Sequence, residues 1–174
     1  NVTCVDALEP YECSGYSLPT EHEWELSARS GATSDFWTGD GAEFGGNLNE
    51  DYTCDNNTII PDGVTNPPLS DYMWWCGNSN GATHEVATKL PNGFGLYDMH
   101  GNVRELTTDI WGCEYPNNLG EWCDSYDGYL RVRRGYSFNA YSNSRQSSVR
   151  NSVQAEDRGG YDRHGFRLRK LASP

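Results

Sequence analysis

A chain of 174 residues is one domain's worth of polypeptide and long enough to bury a sizeable core. Its apolar runs are short, far below the roughly 18 residues a membrane helix needs, so no membrane span is expected. A net charge of −12 argues against nucleic acid, whose phosphates would face a mostly acidic body.

The charge is unevenly spread. Residues 1–130 carry 22 acids against Arg29, Lys89 and Arg104, while residues 131–174 carry ten Arg and Lys against Glu156, Asp157 and Asp162. These bases either pair with the acidic body inside the fold or form a basic strip for an anionic ligand. The cysteines at 4, 13, 54, 76, 113 and 123 include no Cys-x-x-Cys pair and no zinc-finger spacing. An even count in a Gly-, Asn- and Asp-rich chain predicts three disulfides in an oxidising compartment. About fifteen connectivities are possible for six cysteines, and local closure favours 4–13, 54–76 and 113–123.

In chain order, the first element is a helix over 21–30 in "LPTEHEWELSARSG". Thr20 and Glu23 make a Thr-x-x-Glu capping box, Trp24 and Ala28 share a face, and Gly31 is a natural stop. Residues 39–82 hold many Gly, Asn, Asp and Pro and predict a long ordered loop region, which metals or disulfides would have to pin. Short strands are predicted at 95–99, 103–111, 129–138 and 165–171. In the third of these, Val132 between Arg131 and Arg133 suits a half-exposed strand. No repeat or linker divides the chain, so residues 1–174 are expected to form one α+β domain, rich in loops.

Catalytic spacings are scarce. His22, His84, His100 and His164 lie far apart, and there is no nucleophile elbow or phosphate-cradling loop. "NLNEDYTCDNNT" at 47–58 has Tyr52 and Thr58 where a calcium loop of the helix–loop–helix type needs Gly and Glu. "DMHGNVRE" at 98–105 is more suggestive. Asp98, Glu105 and the carbonyls of the intervening turn could converge on one hard cation, or form a tight turn with two solvated acids.

Four stretches, "SLPTEHEWELSARSG", "LPNGFGLYDMHGNVREL", "RVRRGYSF" and "HGFRL", lie in order over residues 17–168. Together they resemble the formylglycine-generating enzyme (sulfatase-modifying factor) family. The resemblance implies an atypical C-type-lectin-like fold, with the N-terminal part of the family's domain missing. It also implies structural calcium. One site maps onto Asp98, the carbonyls of Gly101 and Val103, and Glu105; a second maps onto Asn47, the Leu48 carbonyl, Asn78 and the Asn80 carbonyl. The family's two copper-binding cysteines map onto Ala140 and Arg145, and no cysteine follows Cys123, so copper is not expected. The Trp that usually follows Gly-Asn-Val is Arg104, and a usual Gly is Tyr136.

The function expected from this pattern is a non-catalytic, exported recognition or assembly module, extracellular, periplasmic or on the cell surface. It would contact a protein or cell-surface ligand through the 136–164 region. The candidate contact residues are Tyr136, Phe138, Tyr141, Asn143, Ser147, Tyr161, Arg163 and His164, a palette suited to adaptable contacts. The alternative is a structural subunit of a surface assembly, with neighbouring subunits or a cleaved N-terminal segment as partners. A formylglycine-generating oxidase ranks last.

Overall fold

The computed structural model describes residues 15–34, 36–38, 54, 69–112, 130–140, 147–154 and 163–170. The helix α1, Glu21–Arg29, begins where the capping box predicts. Thr20 Oγ1 accepts the Glu23 N–H at 3.2 Å, and Glu23 Oε2 accepts the Thr20 N–H at 2.8 Å. Two of the helix's orphan donors are thereby satisfied. Its C-terminus turns one residue earlier than Gly31 suggests: Ser30 is already left-handed, with its N–H on the Leu26 carbonyl.

The strands around the helix are short. β1 (Tyr16–Ser17) pairs antiparallel with β6 (Arg169–Lys170). A four-stranded sheet holds β2 (Arg104–Ile110), β3 (Leu130–Arg134), β4 (Asn151–Gln154) and β5 (His164–Gly165) in the order β4-β3-β2-β5. β2 and β3 run antiparallel, with Glu105 opposite Arg134 and Leu106 opposite Arg133. β5 joins parallel to β2, placing His164 beside Arg104. A single 3₁₀ turn, Leu69–Asp71, is the only helical element described between α1 and β2.

Val132 and Arg134 of β3 point inward and are buried, whereas Arg131 and Arg133 stand on the opposite face. The alternation expected of this strand is therefore present. The strand expected at 95–99 is absent. Gly95 and Asp98 both have positive φ, 78° and 53°, which breaks an extended run and makes this segment a series of turns. The 165–171 segment holds two dipeptide strands, β5's end and β6, separated by an irregular stretch at 166–168.

Apolar packing gathers in two clusters. Trp24, Ala28 and Met99 form one, with Leu96 against it; Phe36, Met73 and Trp75 form the other, with Cys76 against it. The buried ring of His100 meets Trp24 and Phe36 edge-to-face, so it touches a member of each cluster. Gly101 (φ 76°) is where the turn before β2 presses on the chain at Trp74. An added Cβ would overlap the Trp74 carbonyl, which accepts the Asn102 N–H. Cys54 and Cys76 form a disulfide, the pairing that local closure favoured. The cysteines at 4, 13, 113 and 123 lie outside the described residues.

The buried face of α1 carries more than Trp24 and Ala28. Glu21 and Glu25 lie on it too, one turn apart. Arg134, buried in β3, pairs with both, and Arg150 pairs with Glu21 at 2.6 Å. Arg167 holds Glu105, and Arg169 holds Glu23. The basic C-terminal quarter therefore binds the acidic body internally through these four arginines.

Candidate functional site

The turn leading into β2 holds the first predicted cation set. Asp98 is nearly buried, and its Oδ2 accepts the Ala87 N–H at 2.8 Å. Its Oδ1 is buried with no hydrogen-bond partner among the described residues. Such an atom calls for a donor or a cation. Glu105 is more committed. Its Oε2 accepts Trp24 Nε1 at 2.6 Å and Arg167 Nε at 2.5 Å, while Oε1 accepts Arg167 Nη2 at 2.5 Å. A carboxylate offers about four lone-pair sites, so Oε1 retains one. Arg167 Nη2 also reaches the Asp98 carbonyl at 3.3 Å, which ties the two acidic residues to one guanidinium.

Oxygen donors of this kind suit a hard cation, and the unpartnered Asp98 Oδ1 fits one. Among the described residues no group of three or more His, Cys, Asp or Glu could hold a metal. A cation here would therefore lean on backbone carbonyls such as those of Gly101 and Val103. For the second predicted set, the Asn78 side chain is already engaged: Oδ1 accepts the Trp75 N–H, and Nδ2 donates to the Met73 carbonyl. Asn80 is exposed with φ 54°, and Asn47 and Leu48 lie outside the described residues.

The predicted contact residues divide in two. Tyr136, Arg163 and His164 are half-buried and gather at the β2–β5 side of the sheet. Arg104 joins them: its Cζ lies 5.5 Å from the Tyr136 ring centroid, and its N–H donates to the Arg163 carbonyl at 2.7 Å. Tyr136 follows Gly135 (φ 84°) and itself has φ 57°, a costly conformation for a bulky side chain. Arg133 donates from Nη1 to His164 Nε2, and from Nη2 to Asn151 Oδ1 at 3.0 Å. In the amide orientation that satisfies both neighbours, Asn139 donates to Ser137 Oγ and accepts from the Arg163 guanidinium at 2.9 Å.

Phe138 and Ser147, expected at the surface, are interior. Phe138 is 3% exposed with its N–H on the Asn102 carbonyl, and Ser147 is fully buried with Oγ 3.4 Å from His100 Nε2. The turn after β3 buries Phe138 instead of presenting it. Tyr141, Asn143 and Tyr161 lie outside the described residues. Arg104, Arg133, Asn139 and Asn151 were not among the predicted contact residues. Arg104 was visible as a departure from the family pattern and Arg133 through the strand alternation; Asn139 and Asn151 carried no such signal.

Burial governs the charges in two places. Desolvation raises the carboxyls of Glu21 and Asp109 above their ordinary values, although Arg150 and Arg134 pull Glu21 down and the Glu21 N–H (2.6 Å) does the same for Asp109. Burial lowers the Arg104 guanidinium, and the like charges of Arg133 and Arg163 lower it further.

A family model described as the sulfatase-modifying factor enzyme 1-like domain matches residues 1–171. The chain belongs to the sulfatase-modifying factor family. It is 37% identical over 117 residues to a formylglycine-generating enzyme of Mycobacterium tuberculosis, covering 67% of this chain and 34% of that protein. A formylglycine-generating enzyme of Thermomonospora curvata is 27% identical over 152 residues, covering 79% of this chain and 43% of that protein. Among solved structures, Treponema denticola variable protein 1 matches with a TM-score of 0.64 and 30% identity, over 90% of this chain and 48% of that one. PvdO from Pseudomonas aeruginosa matches with a TM-score of 0.63 and 28% identity, over 90% and 53%. The chain thus spans a third to about half the length of these family relatives. Its described cysteine pair is a simple disulfide in place of the family's active-site cysteine motif, and the sequence has no cysteine after Cys123. No described helix is long and apolar enough to cross a membrane.

Proposed function

We propose that this sulfatase-modifying-factor domain is a non-catalytic, exported recognition module that contacts a protein partner through the Tyr136, Arg163 and His164 surface. The observation that carries this reading is the site of the family's first copper cysteine. That place is taken by Ala140, nearly buried in a turn with its N–H on the Ser137 carbonyl. A methyl group there cannot ligate copper, so the neighbouring surface is left for binding. Tyr136, half-buried beside Arg104, has a left-handed backbone that is costly for a bulky side chain, which fits a fixed aromatic anchor. Similarity to a protein named as variable fits a recognition role. The Cys54–Cys76 disulfide fits export to an oxidising compartment. Calcium, in this reading, is structural and rests on Asp98 Oδ1, Glu105 and the Gly101 and Val103 carbonyls, ordering the turn below the contact surface.

A role as subunit of a surface assembly is the second reading. It is favoured by Phe166 and Leu168, which are strongly exposed on either side of Arg167, whose Nη2 reaches the Tyr97 carbonyl at 3.1 Å. A photo-crosslinking residue placed at Tyr136, with Val86 (exposed) as control, tests the first reading in the native envelope fraction. A discrete protein adduct specific to position 136 is expected. Identical products at both positions would overturn it.

A further inference from the structure

Tyr136 takes a left-handed backbone (φ 57°) directly after Gly135 (φ 84°), at a place where the family resemblance implies Gly. A bulky residue keeps such a conformation only where its surroundings over-determine it. The support comes from the turn before β2. The Gly101 N–H donates to the Gly135 carbonyl at 2.7 Å, and the Phe138 N–H donates to the Asn102 carbonyl at 2.8 Å. Gly101 and Asn102 therefore bracket Tyr136 in sequence, one bond before it and one after.

This support converges on Asn102, itself left-handed (φ 57°) and buried. Its N–H donates to the Trp74 carbonyl at 2.9 Å. Its side chain spends both polar atoms on one backbone: Oδ1 accepts the His84 N–H, and Nδ2 donates to the His84 carbonyl, each at 3.0 Å. The His84 imidazole stacks on Trp74 with ring centroids 3.7 Å apart, and Nε2 donates to the Ser79 carbonyl at 2.8 Å. Ser79 Oγ in turn donates to the Phe138 carbonyl at 2.8 Å. The bonds close a circuit from His84 to Asn102, Phe138, Ser79 and back, with Tyr136 two residues before Phe138. Asn suits the junction because it tolerates the left-handed backbone while offering a donor and an acceptor.

We propose that Asn102 is a positioning residue of the contact surface: its clamp on His84 holds the turn at 101–102, and that turn fixes the left-handed presentation of Tyr136. The inference rests on the contact-surface reading above and adds a determinant that is buried and acts through Tyr136. Deleting the clamp leaves the strain at Tyr136 with fewer bonds to oppose it, so the turn at 135–138 relaxes before the rest of the fold does.

The test uses the whole purified chain, isotope-labelled for nuclear magnetic resonance. Asn102→Gly keeps the left-handed backbone and removes only the clamp. Exchange of the Phe138 and Gly101 amides is expected to speed about tenfold relative to the helix amide of Ala28, as losing a buried hydrogen bond implies. Backbone couplings that report the sign of φ should move at Tyr136. Val153→Ala, opposite Arg131 and so at the far end of β3 from Gly135, is the stability control. A residue that merely stabilises the fold speeds all three amides together, as this control should. Should Asn102→Gly not fold, Asn102→Asp keeps the bond from the His84 N–H and loses the donation to its carbonyl; a relative gain of about threefold is expected of it. An unchanged exchange ratio in a folded Asn102 variant, or an unmoved Tyr136 backbone, would overturn the proposal. With the crosslinker at position 136, Asn102→Gly should lower the adduct about fivefold or more, the effect of losing roughly one hydrogen bond's worth of preorganisation, and Val153→Ala should not. An adduct indifferent to Asn102→Gly would also overturn the positioning role, whereas no adduct in the parent would overturn the contact surface itself, whatever the amides show.

Discussion

Arg150 grips Glu21 with two parallel hydrogen bonds, Nε to Oε1 at 2.6 Å and Nη2 to Oε2 at 2.7 Å, across 129 residues of sequence. Arg134, wholly buried, closes the same carboxylate from the sheet and bonds Glu25 as well. Together they lock α1 onto the sheet. The helix therefore docks as much by charge as by Trp24.

Removing one member of such a buried set leaves the others unpaired. Arg134→Ala is expected to cost about 3–5 kcal/mol of stability. Arg169→Ala breaks a pair whose Glu23 partner is 40% exposed and should cost less than about 1 kcal/mol. Urea midpoints of the two variants against the parent check the contrast; equal losses would contradict it.

The carboxyls of Glu21 and Asp109 are raised by burial above 4.5 and 3.8, the values they take in an unfolded chain. The folded state then binds protons more tightly than the unfolded one. Their contribution to stability falls as pH rises from those unfolded values through the raised folded ones, and it returns on acidification. Glu21→Gln removes the Glu21 share of this titration. The stability difference, parent minus Glu21→Gln, should therefore decrease as pH climbs above 4.5 in denaturant titrations. A difference that grows with pH would contradict the sign.

Calcium should raise the melting temperature if Asp98 Oδ1 is its anchor. At about a hundred times the dissociation constant, a ligand specific to the folded state adds roughly 2.7 kcal/mol. Asp98→Asn should abolish most of that gain, and a chelator should reproduce the loss in the parent. Differential scanning calorimetry with and without calcium reads both. A parent whose melting is indifferent to calcium would remove the metal from this account.

Much of the fold was legible because local chemistry dictated it. Thr20 and Glu23 specify the helix start through their own side chains, and Val132 between two arginines fixes which face of β3 is buried. The Cys54–Cys76 pairing is one that local closure favoured, although sequence left the other connectivities open. The 95–99 segment misled because its apolar residues suit a strand, while the left-handed Asp98 is imposed by its packing against the Ala87 N–H. β4, Asn-Ser-Val-Gln, carries almost no strand signal and forms because β3 offers it an edge. Phe138 was misplaced for a related reason: an aromatic in a polar stretch reads as a contact residue until the turn's direction is known. Arg104 was visible as a departure from the family pattern. Its neighbours, His164 and the Arg163 carbonyl, depend on β5 arriving in parallel from sixty residues away in sequence, which no local pattern encodes.

The central claim is that the family scaffold is kept here while its oxidase chemistry is not. Purified protein, loaded with copper(I) and given oxygen and a sulfatase-type cysteine peptide, tests it most directly. Mass spectrometry of the peptide should show the cysteine unchanged, because Ala140 stands where the first copper thiolate would be and no cysteine lies beyond Cys123. Copper-dependent conversion of that cysteine to formylglycine would contradict the account.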